Sequence, residues 1–117
     1  MSTINFKEET LEILKENGKT FDDVLFIQGD DFCVTNTKEE ILKLMDFEYD
    51  NGFGGNYIVS DLKIVGKDFW LERHEYDGSE WWEFKQIPVK LPTEQKITTV
   101  MAHYGWDTLK RVHEQDE

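Results

Sequence analysis

Cysteine and basic residues are scarce in this chain, and each shortage narrows what the protein can be. One cysteine, Cys33, in 117 residues leaves no intramolecular disulfide and no cysteine-rich zinc site. That usage fits a reducing cytoplasm, where thiols stay free. No apolar run approaches the ~18 residues of a membrane-spanning helix, and the opening MSTINFKEET carries no signal-peptide hydrophobic stretch. The reading is a soluble, cytoplasmic protein with no membrane partner. Thirteen Lys and Arg face 25 Asp and Glu, a net charge of −12. Such a chain is repelled by the phosphates of DNA, RNA and anionic lipid, so direct nucleic-acid binding is not expected. It is drawn instead to basic surfaces.

Catalytic signatures are scarce as well. No G-x-S-x-G, phosphate loop or dinucleotide fingerprint occurs, and GFGG at 52–55 lacks the phosphate-loop lysine, so it reads as a turn. His74, His103 and His113 have no zinc-ligand spacing. Asp46, Glu48 and Asp50 before Gly52 alternate as calcium-loop ligands do, but position twelve is Tyr57 where that loop needs glutamate. Cys33, in DFCVT, reads as a small buried thiol on a strand. LKRVH near the end places cations at a helix C terminus, where the dipole favours them. Carboxylate pairs suited to glycoside chemistry can be drawn anywhere among 25 acids and so identify nothing. The expectation is no catalytic residue, no metal and no cofactor. The enzyme alternative, a metal-dependent hydrolase using the acidic cluster, would announce itself by metal-dependent activity.

What is present is enough to fold. Hydrophobic residues are 38% and aromatics 14%, which supports one α+β domain over residues 1–117. Its small antiparallel sheet consists of an N-terminal hairpin and a three-stranded meander, with N-terminal, middle and C-terminal helices. The first helix is expected over 4–17, with Ile4, Phe6, Leu11, Ile13 and Leu14 inward and Glu8, Glu9, Glu12 and Lys15 outward. VLFI, then QGDD, then FCVT reads as a hairpin over 23–35. Thr37 and Glu40 have capping-box spacing, opening a helix that buries Ile41, Leu42, Leu44 and Met45. DFEYDNGFGGNYI reads as a long ordered loop, since Phe47, Tyr49, Phe53 and Tyr57 are too apolar for a loose one. IPVKLP leaves the sheet extended. ITTVMAHY and WDTLKRVHEQ then read as helical pieces broken near Gly105.

The meander is LKIVG, DFWLERHEY and SEWWEFKQI. Asp77-Gly78 favours a two-residue type I′ turn, which sets Leu71 opposite Phe84, Arg73 opposite Trp82 and His74 opposite Trp81. Phe69, Leu71, Trp82 and Phe84 then share the core face, and Trp70, Glu72, His74, Trp81 and Glu83 the other. A three-residue turn would shift every pair by one. In the type I′ register Glu72 and Glu83 oppose each other, a repulsion that a basic partner would relieve. The face of Trp70 and Trp81 is an aromatic patch rimmed by acid, a pattern that marks interaction sites. The structural alternative is a C-terminal helix covering it with Trp106, Leu109 and Val112.

FDDVLFI, DFEYDNGFGG and IVGKDFWLERHEYDGSEWWEFKQIP resemble a family of short acidic proteins encoded by phages and prophages of low-GC Gram-positive bacteria. The resemblance spans roughly residues 20 to 90, and EYDGSEWWEF is its most specific part. Size, acidity and phage-like origin together resemble the class of anti-CRISPR proteins that inhibit Cas9. What that class resemblance implies is a DNA mimic. Its partner is a host protein with a basic nucleic-acid-binding surface, the Cas9–guide RNA complex, whose arginines read the PAM. The expected partner-binding residues are the acids Glu72, Glu75, Asp77, Glu80 and Glu83 on the hairpin and Asp46, Glu48 and Asp50 on the preceding loop. Trp70 and Trp81 are the aromatic anchors that a charged interface needs at its centre. The alternative is a phage accessory protein that binds another host protein, without enzymatic activity.

Overall fold

The computed structural model describes residues 3–52 and 57–114. The chain divides into two compact units, Met1–Ile87 and Pro88–Glu117. The first contains β1 (Ile4–Asn5), α1 (Phe6–Glu16), a 3₁₀ turn (Phe21–Asp23) and β2 (Val24–Gln28), then α2 (Lys38–Leu44) and β3 (Glu48–Tyr49). It closes with β4 (Lys63–Gly66), β5 (Phe69–Tyr76) and β6 (Ser79–Gln86). The expected α+β class is what the chain adopts. Strands β2-β4-β5-β6 form an antiparallel sheet in that order, and β1 pairs with β3 in a second.

The meander has the register that its turn chemistry dictates. Asp77 and Gly78 both take positive φ, 51° and 88°, as a type I′ turn requires. Leu71 pairs with Phe84, Arg73 with Trp82, His74 with Trp81 and Glu72 with Glu83. Phe69, Leu71 and Trp82 are buried with Ile64 from β4, and Phe84 packs against them. Each such side chain removed from water contributes about 2 kcal/mol. At the β4–β5 turn, the backbone of Gly66 lies directly beneath the Phe69 ring, where any Cβ would collide.

Helix α1 covers this face. Asn5 caps it, its side chain accepting from Glu8 N at 3.0 Å. The Phe6 ring stacks on Trp82 with centroids 5.6 Å apart, and the Trp82 indole donates to Thr10 at 2.7 Å. Leu11, expected inside, lies at the surface, and Thr10 takes the buried place. Helix α2 begins with the expected reciprocal capping box of Thr37 and Glu40. It turns Met45 into the core but leaves Leu44, about 100° away around the helix, in solvent.

The 23–35 hairpin returns without a full strand: β2 pairs with β4, and FCVT folds back on β2 through a bridge between Gln28 and Cys33 and backbone bonds from Gly29 N to Phe32 O at 3.0 Å and from Val34 N to Ile27 O at 2.8 Å. Cys33 is consequently exposed. Among the described residues, the two C-terminal helical pieces reduce to α3 (Leu109–Val112). Ile97, Thr98, Thr99 and Val100 form a β-branched run, stiff against helix formation. Helices this short are marginal without a packing partner. Side-chain bonds order the second unit instead. Asp107 accepts from the backbone of His103 and Tyr104 at 2.7 and 3.0 Å, and His113 Nε2 accepts from Thr98 N at 2.9 Å.

Candidate partner-binding site

The hairpin tip and the acidic loop come together, through residues that alternation hides from a sequence reading. Glu75 and Glu80 are cross-strand partners on the face that carries Leu71 and Trp82. Glu75 lies exposed near the tip, but Glu80 is buried, 4% exposed. Its carboxylate accepts from Tyr57 N at 2.7 Å and Ile58 N at 3.3 Å, and from Arg73 Nη2 at 3.0 Å. Its own N–H donates to Asn51 O at 2.9 Å, and Ser79 Oγ donates to Gly52 O at 3.3 Å. Glu80, expected to meet a partner, is instead the latch that ties both flanks of the 53–56 segment to β6. Phe53, Gly54 and Gly55 themselves lie outside the described residues.

Arg73 is the centre of this latch. Its side chain is 3% exposed and lies over the rings of Trp82, Phe6 and Tyr49, with 4.8, 5.2 and 6.0 Å to the centroids. A desolvated cation gains from such ring faces. It also donates to Tyr49 Oη at 3.0 Å, and Tyr49 in turn donates to Glu9 at 2.6 Å. Glu9 completes the ion pairing 3.6 Å from Arg73, so it faces inward from α1, contrary to the outward position expected. Burial pushes the Glu9 carboxyl above its ordinary range, against the pull of Tyr49 and Arg73. Burial and the bond to Glu9 push the Tyr49 hydroxyl up too.

The outer face of β5 and β6 is a ladder of indoles bonded to acids. Trp70 Nε1 donates to Glu72 at 2.7 Å, and Trp81 Nε1 donates to Glu83 at 2.9 Å. The His74 ring nitrogen lies 2.7 Å from the other Glu72 oxygen, and Lys85 Nζ lies 3.5 Å from Glu83. These bonds hold both carboxyls below the usual range, the indole contact being the largest cause for each. The opposed glutamates are therefore relieved from within their own strands, and the register requires no basic partner. Trp70 and Trp81 are half-buried.

The remaining acids divide by exposure. Asp46 is exposed, bonded to Asn5 at 2.9 Å and near Lys7 at 3.6 Å. Glu48 is exposed and accepts from Thr3 at 2.8 Å. Asp50 is half-buried and accepts from Gly52 N at 2.9 Å, while Asp77 sits exposed at the turn. Of the ten expected contact residues, Glu80 alone is withdrawn from the surface. Arg73, Glu9 and Tyr49 were missed as a site. The available signal was Arg73 opposite Trp82 on the core face, because a buried cation requires buried acids. Also missed were Leu44, Phe47, Tyr57 and Val59, exposed apolar residues around one cavity.

Among the described residues no cluster of three or more His, Cys, Asp or Glu could hold a metal ion, and no helix is long and apolar enough to cross a membrane. Comparison with protein-family models, curated proteins and solved structures finds no match to this chain.

Proposed function

We propose that this protein is a non-enzymatic binding protein of the kind phages direct at host defences. In this reading it presents carboxylates in place of DNA phosphates to a basic nucleic-acid-binding site, that of guide-loaded Cas9, and keeps DNA out. One observation carries the reading: the charge is concentrated where the fold is firmest. Residues 1–87 hold 20 of the 25 acids and 9 of the 13 basic residues, a net −11. Within that unit the Glu80 latch joins the hairpin to Asn51 and Tyr57, and Glu48, Glu75 and Asp77 are exposed. Carboxylates on a rigid scaffold bind a basic surface with little ordering cost.

The test is capture of purified guide-loaded Cas9 by the tagged protein at low and high salt, with and without target DNA bound beforehand. Capture that falls with salt and is lost when DNA is already bound is the expected result. Glu48→Lys, Glu75→Lys and Asp77→Asn together remove three surface carboxylates and add two cations, so at roughly 0.5 kcal/mol for each lost ion pair affinity should fall at least about ten-fold. Undiminished capture by the triple variant would remove the acidic surface from the reading. Absence of Cas9 capture at low salt would remove Cas9 as the target.

A further inference from the structure

On the helical side of the sheet, a cavity of about 290 Å³ opens between α2, the 57–62 segment and strands β2 and β4. Its floor is rigid core: Ile27, Met45, Ile58 and Ile64 are all buried. Its mouth is apolar and in solvent, with Leu44 65%, Val59 63%, Tyr57 60% and Phe47 42% exposed. A floor already packed and a mouth left apolar gain free energy only when a further apolar group enters.

Size and charge decide what that group is. The volume falls just below the ~300–1,000 Å³ of pockets that enclose drug-sized ligands, so it suits one side chain of an anchoring residue. A second copy of the chain would bring two bodies of net charge −12 together, which self-repulsion opposes. Around the mouth, Asp46 and Glu48 flank Phe47 in the chain, and Asp61 lies two residues beyond Val59, bonded to Asp30 N at 2.9 Å. Lys43 beside Leu44 and Lys7, 3.6 Å from Asp46, are outnumbered by these three acids. We propose that this cavity is the docking site for a single leucine- or phenylalanine-class side chain that a basic protein surface presents between lysines or arginines. It rests on the reading above that the partner is basic, and adds the desolvated anchor that surface charge lacks.

The probes are two synthetic peptides with two lysines on each side of a central residue, phenylalanine in one and alanine in the other. Each is titrated into the full chain at low salt while methyl resonances of Ile58, Ile64 and Met45 are followed by NMR. Burying the ring should make the phenylalanine peptide at least about ten-fold tighter and move all three methyl signals at saturation. Leu44→Ser with Val59→Ser, both at exposed positions, should abolish that difference and leave the alanine peptide unchanged. Equal affinities with the methyl signals unmoved would overturn the docking site while leaving the acidic-surface reading intact. Failure of both peptides to bind would overturn both.

Discussion

Position on a strand, not chemical type, separates Glu75 from Glu80. The two face each other across the hairpin, yet only Glu80 meets Arg73 and two backbone amides. Truncating a buried ion pair leaves an uncompensated charge and costs about 3–5 kcal/mol. Glu80→Ala should therefore lose that much in urea denaturation, while Glu75→Ala should stay within about 0.5 kcal/mol of the parent. A loss at Glu75 equal to that at Glu80 would refute the latch. The contrast explains what was legible in the sequence. Asp77-Gly78 fixes the turn, and the turn fixes every partner in β5 and β6, so the register could be read locally. The burial of Glu80 depends on amides 22 and 23 positions away in sequence, which no local pattern records. Glu9 was misplaced for the same reason, since its inward turn answers a guanidinium on a strand 64 residues later.

Among the elements, those with a local stop and start were predictable and those that depend on a neighbour were not. The Thr37–Glu40 capping box and the β5–β6 turn carry their instructions within four residues. The return limb after QGDD stops at one bridge, Gln28 with Cys33, and two backbone bonds back to β2, while the full ladder of β2 runs to β4, a partner that no local pattern names. The C-terminal pieces have apolar residues at helical spacing but β-branched residues in the way. The tight corner between β4 and β5 is a further element-level constraint. Because the Phe69 ring occupies the space of a Gly66 side chain, Gly66→Ala should destabilise by about 1–3 kcal/mol through overpacking, read as a lower denaturation midpoint. An unchanged midpoint would show that the ring can move aside.

For the molecule as a whole, every buried member of the hydrophobic core among the described residues lies between Phe6 and Trp82. A chain ending at Ile87 should accordingly keep a single cooperative unfolding transition and the far-ultraviolet dichroism of the sheet. Loss of that transition would mean that residues 88–117 complete the fold. The tryptophans are distributed over the same two units. Trp82 is sealed under Arg73, Trp106 lies exposed stacked on Tyr104 at 5.1 Å, and Trp70 and Trp81 donate their indole N–H groups to Glu72 and Glu83. Both acids titrate below their ordinary value of 4.5, so whatever stability they supply is present above that value and lost as pH falls through the lowered range. In optical terms the outer face is its own indicator. As acid protonates those two carboxylates, intrinsic emission should change in one step below pH 4.5, and Trp70→Phe with Trp81→Phe should erase the step while the light from Trp82 persists.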